Sequence, residues 1–530
     1  MPDMLKTPSP SDTAHATRAV VRLDEVVMRH ARQQPGQPAL SQDERSLDYK
    51  ALAQSIDRAC ARLQAWGIGN ADRVACLGWN SIEVLVLLLA LARLGAMLAP
   101  LNHRLAAAEW DQLMQDCTPR CLLHDEAWVS AAQALGERHG LEVHTLADLL
   151  ADIYPTPVTA SEGSAAESEV DWTEALGDPR PVLLVYTSGT TGQPRAAVHT
   201  QANLIANMQA ASQVLELGAQ DRVLTMLPLF HVGGLCIQTL PALWAGAQVR
   251  VQARFDPEDT LLAIERYRIG YTVVVPAVMK ALLEHPRWQQ TDLSSLRGVS
   301  AGSSTLPMHL VQGFLARGVP LGNVYGATET GPFSIAFKSD PALALRGSCG
   351  WPAPGLEARL GPLEGGAAGS EDTGEVWLRG PAVVRHYWPD RPAVDSEGWF
   401  HSGDVARVDQ DGSWTIVGRS KDMIISGGEN IYPAEIEGLL AQHPAVVECA
   451  VLGVPDERWG ESVVAVVVLH PQEAQASDED LLVEVRARLA RYKQPRRVVR
   501  VLQLPKTALG KVQKSVLRET LNEPGTPAPP

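Results

Sequence analysis

A short segment rich in hydroxyl and glycine residues is the part of this sequence whose chemistry is easiest to interpret. Residues 186–200 read Tyr-Thr-Ser-Gly-Thr-Thr-Gly-Gln-Pro-Arg-Ala-Ala-Val-His-Thr. Glycines let backbone N–H groups turn toward an anion, and the hydroxyls add further donors, so this loop can hold phosphate. The alternative is a solvated turn, which the composition of the loop alone would favour.

The elements that must position this loop can also be predicted. The apolar run Pro181–Tyr186 comes immediately before it and predicts a buried strand. The loop lacks the Gly-Lys-Ser/Thr ending of a Walker loop, and no helical pattern opens directly behind it. The sequence therefore predicts a strand followed by a phosphate-binding loop of another kind.

Further motifs follow this loop in a fixed order. They are Pro228-Leu229-Phe230-His231, Tyr325-Gly326-Ala327-Thr328-Glu329-Thr330, Trp399-Phe400-His401-Ser402-Gly403-Asp404, Gly418-Arg419-Ser420-Lys421-Asp422-Met423-Ile424, Ser426-Gly427-Gly428-Glu429-Asn430 and Pro505-Lys506-Thr507-Ala508-Leu509-Gly510-Lys511. Together with the loop they resemble the AMP-forming acyl-CoA synthetases, relatives of firefly luciferase and of nonribosomal adenylation domains. The resemblance runs from about Leu23 to Leu521.

The resemblance implies an ATP-dependent carboxylate–CoA ligase. The acid and ATP would give acyl-AMP and pyrophosphate, and CoA would then give acyl-CoA and AMP. The first step joins an anionic carboxylate to a polyanionic nucleotide, so cations and oriented dipoles are needed where that charge concentrates. Mg²⁺ held by few protein ligands and several phosphate oxygens is the usual solution.

The same resemblance assigns the nucleotide and metal contacts. The residues implied in ATP binding are Thr187, Ser188, Gly189, Thr190, Thr191, Gly192, Arg195, Gly302, Ser303, Asn323, Tyr325, Gly326, Thr328, Asp404 and Arg419. Tyr325 would stack on adenine, Thr328 would donate to the α-phosphate, and Asp404 would accept the ribose hydroxyls. Glu329, with Thr187, would bind Mg²⁺. A surface glutamate and a surface Asp404–Arg419 ion pair are the alternatives.

Two segments depart from the family pattern. The family usually has Lys-Gly where this chain has Arg195-Ala196, so a planar guanidinium replaces a point charge. Ala196 is tolerated only if its backbone has a negative φ. The family more often has Gly-Gly-Ala/Ser-Pro where this chain has Ala301-Gly302-Ser303-Ser304, which affects the predicted adenine contacts.

The remaining roles implied by the resemblance concern catalysis, domain motion and CoA. Lys511 would bridge the carboxylate and the α-phosphate in the adenylation transition state, although a lysine near a chain end is normally just solvated. His231 would be a gate between the acyl pocket and the thiol channel, or else a satisfied core histidine. Lys421 would be the hinge, and Gly427, Gly428 and Glu429 would line the CoA channel. A basic cluster at Arg491, Lys493, Arg496, Arg497 and Arg500 would attract the CoA 3′-phosphate or form an ordinary solvated face.

The acyl pocket implied by the resemblance is built from small or neutral residues. Its members are His231, Val232, Gly233, Gly234, Leu235, Cys236, Gln238, the segment 300–303, Gly326, Ala327, Gly331 and Pro332. Because none carries a fixed charge, a second carboxylate would be buried without a partner, which is costly. We therefore expect a medium-chain aliphatic or an aromatic monocarboxylic acid, and not a diacid such as malonate.

Composition limits the class of protein. The chain has 530 residues, 45% apolar and 20% charged, with a formal net charge of −15. This charge argues against sequence-independent nucleic-acid binding, which needs basic surface. The seven cysteines do not form a disulfide framework, and we interpret them as reduced core thiols. The longest apolar stretch, Val84–Ala92, is too short for a membrane span and predicts a buried helix, so we expect a cytoplasmic protein; a homodimer is an alternative to a monomer.

The order of predicted elements gives the fold class, an α/β protein. Residues 21–420 are expected to form a large N-terminal domain of helix-covered sheets with a β-rich subdomain at Gly347–Val417. Residues 421–522 are expected to form a small, mobile α+β domain that carries the catalytic lysine. The ends, 1–20 and 523–530, and the connection Val158–Asp171 have the composition of flexible or disordered segments.

Two other functions compete with the CoA ligase. One is a different enzyme of the same superfamily, either a stand-alone adenylation enzyme that loads a carrier protein or an oxidative, luciferase-type enzyme. The segment Ile425–Tyr432 favours a free-standing CoA ligase over a carrier-loading domain. The other is a degenerate paralogue that only binds nucleotide, and the presence of Thr187, Glu329, Asp404 and Lys511 argues against it.

Overall fold

The computed structural model describes most of the chain. The described residues are 19–151, 172, 175–188, 194–302, 306–363, 372–426, 429–456, 458–473, 475–506 and 512–522. Several predicted site residues lie outside them, namely Gly189, Thr190, Thr191, Gly192, Ser303, Gly427, Gly428 and Lys511, together with the side chains of Ser188 and Glu429. The predicted flexible connection 158–171 and the tail 523–530 also lie outside the described residues.

The largest sheet has nine strands, and six neighbouring strands in it are parallel. Its order is Trp351–Pro352, Ile335–Phe337, Leu321–Tyr325, Gly298–Gly302, Tyr271–Val274, Arg222–Thr225, Gln248–Val251, Pro38–Gln42 and Arg45–Asp48. Parallel pairing runs from Leu321–Tyr325 to Pro38–Gln42. The register places Gly302 opposite Val324, so the segments after these two strands emerge at the same edge.

A second sheet of eight strands carries the predicted phosphate-loop strand. Its order is Arg391–Pro392, His386–Tyr387, Pro194–Thr200, Pro181–Ser188, Met97–Pro100, Arg73–Leu77, Cys121–His124 and Glu142–Thr145. Pro181–Ser188 and Pro194–Thr200 are antiparallel, with Thr187 opposite Arg195. A strand therefore follows the loop, in agreement with the prediction that no helix opens directly behind it.

Helices pack against both sheets. In the N-terminal part they are Leu23–Gln33, Tyr49–Ala65, Ile82–Leu94, Ala107–Cys117, Val129–His139, Leu146–Leu150, Gln201–Leu215, Val232–Gly234, Leu240–Trp244, Pro257–Arg266, Pro276–Glu284, Met308–Leu315 and Pro341–Leu345. Short 3₁₀ turns cover Glu126–Trp128, Pro286–Gln289 and Thr328–Thr330. Apolar side chains from both sheets and most of these helices form one large core. The helices Ala107–Cys117 and Val129–His139 pack in a second, smaller cluster against the eight-stranded sheet.

The longest apolar run became a buried helix, as its length predicted. The helix Ile82–Leu94 begins where the Ser81 hydroxyl accepts a hydrogen bond from the backbone N–H of Val84. Every residue from Ile82 to Ala92 is buried. In the part of the chain that the structure describes, no helix has both the length and the apolar character needed to cross a membrane.

The described part of 347–417 forms the expected β-rich subdomain, except for three short strands that join the two large sheets. Its four antiparallel strands are Glu357–Gly361, Thr373–Arg379, Phe400–Val408 and Trp414–Arg419. A separate two-stranded pair joins Val20–Val21 to Leu176–Gly177. Val20 is therefore part of a strand, which corrects the predicted end of the disordered N-terminus at residue 20.

After the 3₁₀ turn Ser420–Asp422 the chain forms a compact α+β unit. Its strands are Ile424–Ser426, Glu429–Ile431, Val446–Asp456, Gly460–Leu469 and Arg497–Arg500, and its helices are Pro433–Leu440, Asp478–Leu481, Val483–Arg488 and Lys514–Asn522. Short 3₁₀ turns lie at Pro471–Glu473 and Arg491–Lys493. The segment Ser477-Asp478-Glu479-Asp480 predicts a capping box that opens a single helix running to about Arg491. The capping box is present, but the prediction of a single helix is wrong. The helix is interrupted at Leu482 and ends at Arg488, because Leu481, Leu482 and Val485 all turn into the small core.

Candidate active site

Glu329 lies on a tight turn at the carboxyl edge of the nine-stranded sheet. The strand Leu321–Tyr325 ends, the 3₁₀ turn Thr328–Thr330 follows, and the chain returns antiparallel through Ile335–Phe337. The turn needs two glycines. A Cβ atom at Gly326 would overlap the carbonyl oxygen of Pro332, and Gly331 has φ +78, which side chains rarely adopt. These constraints explain why glycines flank Thr328 and Glu329.

A tyrosine connects Glu329 to the predicted phosphate-loop strands. Tyr387 donates a hydrogen bond of 2.8 Å from its hydroxyl to Glu329 Oε1. Burial, and then the charge of Glu329, raise the pKa of Tyr387, so the phenol stays a donor. The Arg195 guanidinium lies 5.9 Å from the centre of the Tyr387 ring. These contacts connect the strand Pro194–Thr200 to the turn through the side chains of Arg195, Tyr387 and Glu329.

A second polar group joins the β-rich subdomain to the nine-stranded sheet. Asp404 is nearly buried, and it accepts a hydrogen bond of 2.9 Å from the Tyr325 hydroxyl. Its other carboxylate oxygen lies 2.9 Å from Arg419 Nε across the antiparallel strand pair. Burial and the charge of Asp404 hold the pKa of Tyr325 well above its usual range. Since a carboxylate has about four lone-pair sites, Asp404 can still accept the hydroxyls of a ribose.

Asn323 and Gly302 lie below this group on neighbouring strands. The Asn323 amide donates to the carbonyl oxygen of Ser348 at 3.0 Å. A Cβ atom at Gly302 would lie 2.5 Å from the carbonyl oxygen of Val324, so glycine is required there.

His231 begins the helical segment that the resemblance assigns to the acyl pocket. Its Nδ1 accepts a hydrogen bond of 3.0 Å from the backbone N–H of Gly233. Burial lowers the pKa of His231, so the neutral imidazole is favoured. A satisfied ring nitrogen fits the core alternative as well as the gate, and the gate role stays a prediction.

A π-helical turn, Leu235–Thr239, interrupts this segment. It contacts Asn207, a residue that the sequence analysis did not identify. Asn207, on the helix Gln201–Leu215, donates 2.6 Å from its amide to the carbonyl oxygen of Cys236. Its amide oxygen accepts a hydrogen bond of 3.2 Å from the backbone N–H of Phe333. Asn207 thus ties the predicted acyl pocket to the turn that carries Glu329. A buried amide in an apolar helix was the only available signal.

A second asparagine on the same helix supports Glu329 from the other side. Asn203 donates to the carbonyl oxygens of Pro381 at 2.7 Å and Val383 at 3.2 Å. The next residue, Val384, donates its backbone N–H to the carbonyl oxygen of Glu329 at 2.8 Å. One helix therefore positions both segments that adjoin Glu329.

His199 is fully buried on the strand that follows the phosphate loop. Its ring faces the backbone of Thr328, and neither ring nitrogen reaches a donor or acceptor of the described residues in hydrogen-bond geometry. Burial lowers the pKa of His199 to about 4. A neutral ring therefore packs between the phosphate-loop strand and the predicted α-phosphate contact.

Family models match both parts of the chain. The AMP-binding enzyme model matches residues 27–388, and the model of the AMP-binding enzyme C-terminal domain matches residues 435–511. The chain belongs to the AMP-binding enzyme family. This confirms the family predicted from the motifs, the α/β fold class and the class of acid–thiol ligase.

Curated relatives and solved structures cover almost the whole chain. An indoleacetate–CoA ligase of Aromatoleum aromaticum is 43% identical over 508 residues, which is 94% of this chain and 98% of that protein. A feruloyl-CoA synthase of an Amycolatopsis species is 38% identical, covering 93% and 97%. ATP-bound MatB from Rhodopseudomonas palustris superposes with a TM-score of 0.82 at 29% identity, covering 95% and 99%. MenE, the o-succinylbenzoate CoA synthetase of Bacillus subtilis, gives 0.81 at 27% identity, covering 96% and 100%.

The structure brings some of the predicted site residues together and leaves others apart. The predicted acyl-pocket members on the helix and on the strand Gly298–Gly302 meet where Gln238 donates to the Ser300 hydroxyl at 3.1 Å.

The basic cluster at residues 491–500 is partly neutralised, since Lys493 pairs with Glu435 at 2.7 Å and Arg500 with Asp478 at 2.6 Å. Arg496 lies 4.6 Å from the Trp459 ring. These contacts favour an ordinary solvated face over a preformed phosphate site.

The cysteines agree with the prediction of reduced core thiols. All seven are free, six are buried, and Cys449 is half-buried. Burial raises the pKa of Cys60 to about 11 and that of Cys121 to about 12. Such thiols stay protonated and unreactive at neutral pH.

Proposed function

We propose that this enzyme ligates an aromatic monocarboxylic acid to CoA at the expense of ATP. The observation that carries the proposal is the neutral character of the described residues that we propose line the acyl pocket. Those residues are Val232, Gly233, Gly234, Leu235, Ala301, Ala327 and Gly331. Asn207 ties their helical segment to the turn that carries Glu329. The names of two relatives, an indoleacetate ligase and a feruloyl synthase, favour an aromatic ring over an aliphatic chain.

The donor set near Glu329 fits a magnesium ion. One carboxylate oxygen is held by Tyr387, and among the described residues no cationic side chain pairs with the carboxylate. Glu329 and the Thr187 hydroxyl would hold Mg²⁺ together with phosphate oxygens. When bound, the ion would neutralise phosphate charge during attack on the α-phosphorus.

The chain's own residues would carry out the rest of the first step. A carboxylate oxygen of the acid forms a bond to the α-phosphorus, and the bond to pyrophosphate breaks. Arg195 and the loop hydroxyls would receive the charge of pyrophosphate, and Thr328 would donate to the α-phosphate. Asp404 would hold the ribose while Tyr325 packs against adenine. Lys511 would place its ammonium between the two reacting anions.

In the second step the CoA thiolate attacks the carbonyl carbon and AMP leaves. The proposed channel at Gly427, Gly428 and Glu429 belongs to the C-terminal unit, so the unit would have to reorient about Lys421 between the steps. Neutral His231 would stand between this channel and the acyl pocket. The proposed domain boundaries, 21–420 and 421–522, follow from the same argument.

The test is an acid panel assayed with ATP, Mg²⁺ and the purified protein, with and without CoA. We expect CoA-dependent thioester formation, with kcat/KM at least about tenfold higher for indole-3-acetate or ferulate than for malonate, because a diacid buries an unpaired carboxylate. A clear preference for malonate would refute the pocket interpretation, and a preference for octanoate would favour the aliphatic alternative.

The same assay separates the competing functions. Pyrophosphate release without thioester formation would favour a stand-alone adenylation enzyme that loads a carrier protein. No pyrophosphate release with any acid would favour the degenerate nucleotide-binding paralogue.

A further inference from the structure

Gln238 carries a buried polar atom that the fold leaves unpaired. Its side chain is 1% exposed, and its amide nitrogen donates to the Ser300 hydroxyl at 3.1 Å. Among the described residues, no donor reaches its amide oxygen. Leaving a buried acceptor unpaired costs about 1–3 kcal/mol, so such a group calls for an explanation.

The position of Gln238 is set by the π-helical turn. The turn spans Leu235–Thr239 and is anchored by the Thr239 hydroxyl, which donates to the carbonyl oxygen of Gly234 at 2.6 Å. Single π turns within helices occur often at functional sites. Here the turn places an amide against Ser300, at the junction of the two segments assigned to the acyl pocket.

A small cavity adjoins this amide. It has a volume of about 10 Å³. Its lining includes Thr225, Gly234, Gln238, Thr239 and the apolar residues Met226 and Val273. The hydroxyls of Thr225 and Thr239 are hydrogen-bonded to each other at 2.6 Å. Since Thr239 donates to Gly234, both hydroxyl hydrogens are engaged and neither is directed to Gln238. The cavity has room for about one hydrogen-bonding group.

We propose that Gln238 is a specificity-determining residue whose amide oxygen accepts a hydrogen bond from an N–H or O–H group on the ring system of the aromatic acid. The inference rests on the proposed function and names its substrate class as donor-bearing aryl acids. Indoleacetate and ferulate, after which two relatives are named, each carry such a donor. A site built to accept a hydrogen bond rejects analogues without the donor, because its own polar group is then left unpaired.

The test compares two acids of nearly the same shape, indole-3-acetate and 1-benzothiophene-3-acetate, in which sulfur replaces the ring N–H. The wild type should favour indole-3-acetate in kcat/KM by about 5- to 150-fold, the ratio that corresponds to an unpaired acceptor. In Gln238→Met, which keeps a side chain of similar length without the acceptor, the ratio should fall to about one.

Gln209→Met is the matched control. Gln209 donates to the carbonyl oxygens of Trp172 and Ala175 and is not part of the pocket, so the wild-type ratio should remain. Equal use of the two acids by the wild type would overturn the proposal and would indicate that an internal water satisfies the amide oxygen. An unchanged ratio in Gln238→Met would overturn it as well.

Failure of the proposed function gives a different result. If no acid forms a thioester, the ligase proposal fails, and the two acids are then compared by calorimetric binding to the wild type in the presence of ATP. Tighter binding of indole-3-acetate would still support the role of Gln238, and equal binding would overturn it. The wild-type comparison decides even if Gln238→Met does not fold.

Discussion

At the scale of single residues, Glu329 depends on contacts that its own motif does not supply. Asn207 holds the backbone at Phe333, Asn203 holds the segment before Val384, and Tyr387 holds the carboxylate itself. These partners come from positions more than 50 residues away in the chain. We infer that Asn207 is a positioning residue for both the acyl pocket and the predicted metal ligand.

Replacing Asn207 should impair catalysis more than stability alone would explain. Asn207→Asp keeps the size of the side chain but sets a carboxylate against the carbonyl oxygen of Cys236. We expect kcat/KM to fall about 10- to 100-fold, with changes in both kcat and the KM for the acid, because small misplacements of reacting groups are costly. Steady-state kinetics and thermal unfolding should be measured together. Gln213→Leu, at an exposed position of the same helix, is the control, and wild-type kinetics in Asn207→Asp would contradict the role.

His199 should make the folded enzyme sensitive to mild acid. Its pKa is about 4 in the fold and near 6.5 when unfolded, so the unfolded chain binds the proton more readily. The contribution of the neutral His199 ring to the free energy of unfolding is fully present above pH 6.5 and is lost as pH falls toward 4. The free energy of unfolding, measured with urea, should fall by about 2 kcal/mol between pH 7.5 and 5 because of this group. His199→Gln should flatten that dependence, and an unchanged pH slope in the variant would exclude His199 as its source.

Lys511 should act in only one of the two half-reactions. Lys511→Ala should slow adenylation by about 10²-fold or more, the scale of losing a preorganised transition-state contact. Thioester formation from acyl-AMP and CoA should change much less. Lys514→Ala is a nearby control, since Lys514 pairs with Glu437 at 2.7 Å. Equal losses in both half-reactions would rule out the assignment.

At the scale of elements, the connection between the two parts of the chain is a single short turn. The strand Trp414–Arg419 ends at the Asp404 ion pair, and the 3₁₀ turn Ser420–Asp422 leads directly into Ile424–Ser426. Ser420 is buried, whereas Lys421 is exposed. A change of backbone angles at one exposed residue can therefore redirect everything that follows it.

Lys421→Pro should impair one half-reaction selectively. Proline holds φ near roughly −65° and so restricts the rotation that the proposed hinge requires. Lys421→Ala removes the side chain but keeps the backbone free, and both of its half-reactions should stay near wild-type rates. Single-turnover assays of adenylation and of thioester formation would separate the steps. If the proline variant matches the wild type in both, the hinge lies elsewhere or the unit does not rotate.

At the scale of the whole molecule, the chain has separate apolar cores. One large core joins the two helix-covered sheets, whereas the segment from Ile424 onward packs around its own sheet in two smaller clusters. Leu87 is buried in the large core and Val467 in a small one. Domains with their own cores unfold as separate units when few contacts join them.

Calorimetry should therefore resolve two unfolding transitions. Val467→Ala should affect only the transition of the C-terminal unit. It should lower the free energy of unfolding of that unit by about 2 kcal/mol, because methyl groups are lost and a cavity remains. Leu87→Ala should lower only the other transition, by about 2–5 kcal/mol. A single transition that both variants shift equally would show that the two parts unfold together.

Much of the architecture followed from local sequence patterns. The apolar run at Val84–Ala92 became the buried helix Ile82–Leu94, and the apolar run Pro181–Tyr186 became the strand Pro181–Ser188, as predicted. The order of motifs identified the family. These features could be predicted because periodicity, caps and motif spacing are properties of neighbouring residues.

Other features arose only when distant segments met. The helix predicted from Ser477 to about Arg491 broke at Leu482, because burial of Leu481, Leu482 and Val485 in the small core outweighed helix propensity. The hydrogen bond from Tyr325 to Asp404, the bridging role of Asn207 and the unpaired amide oxygen of Gln238 each join elements far apart in the chain. The sequence by itself thus determined the family, the fold class and the candidate residues. The tertiary structure decided which of them touch, because contacts between distant residues depend on how the sheets and helices pack.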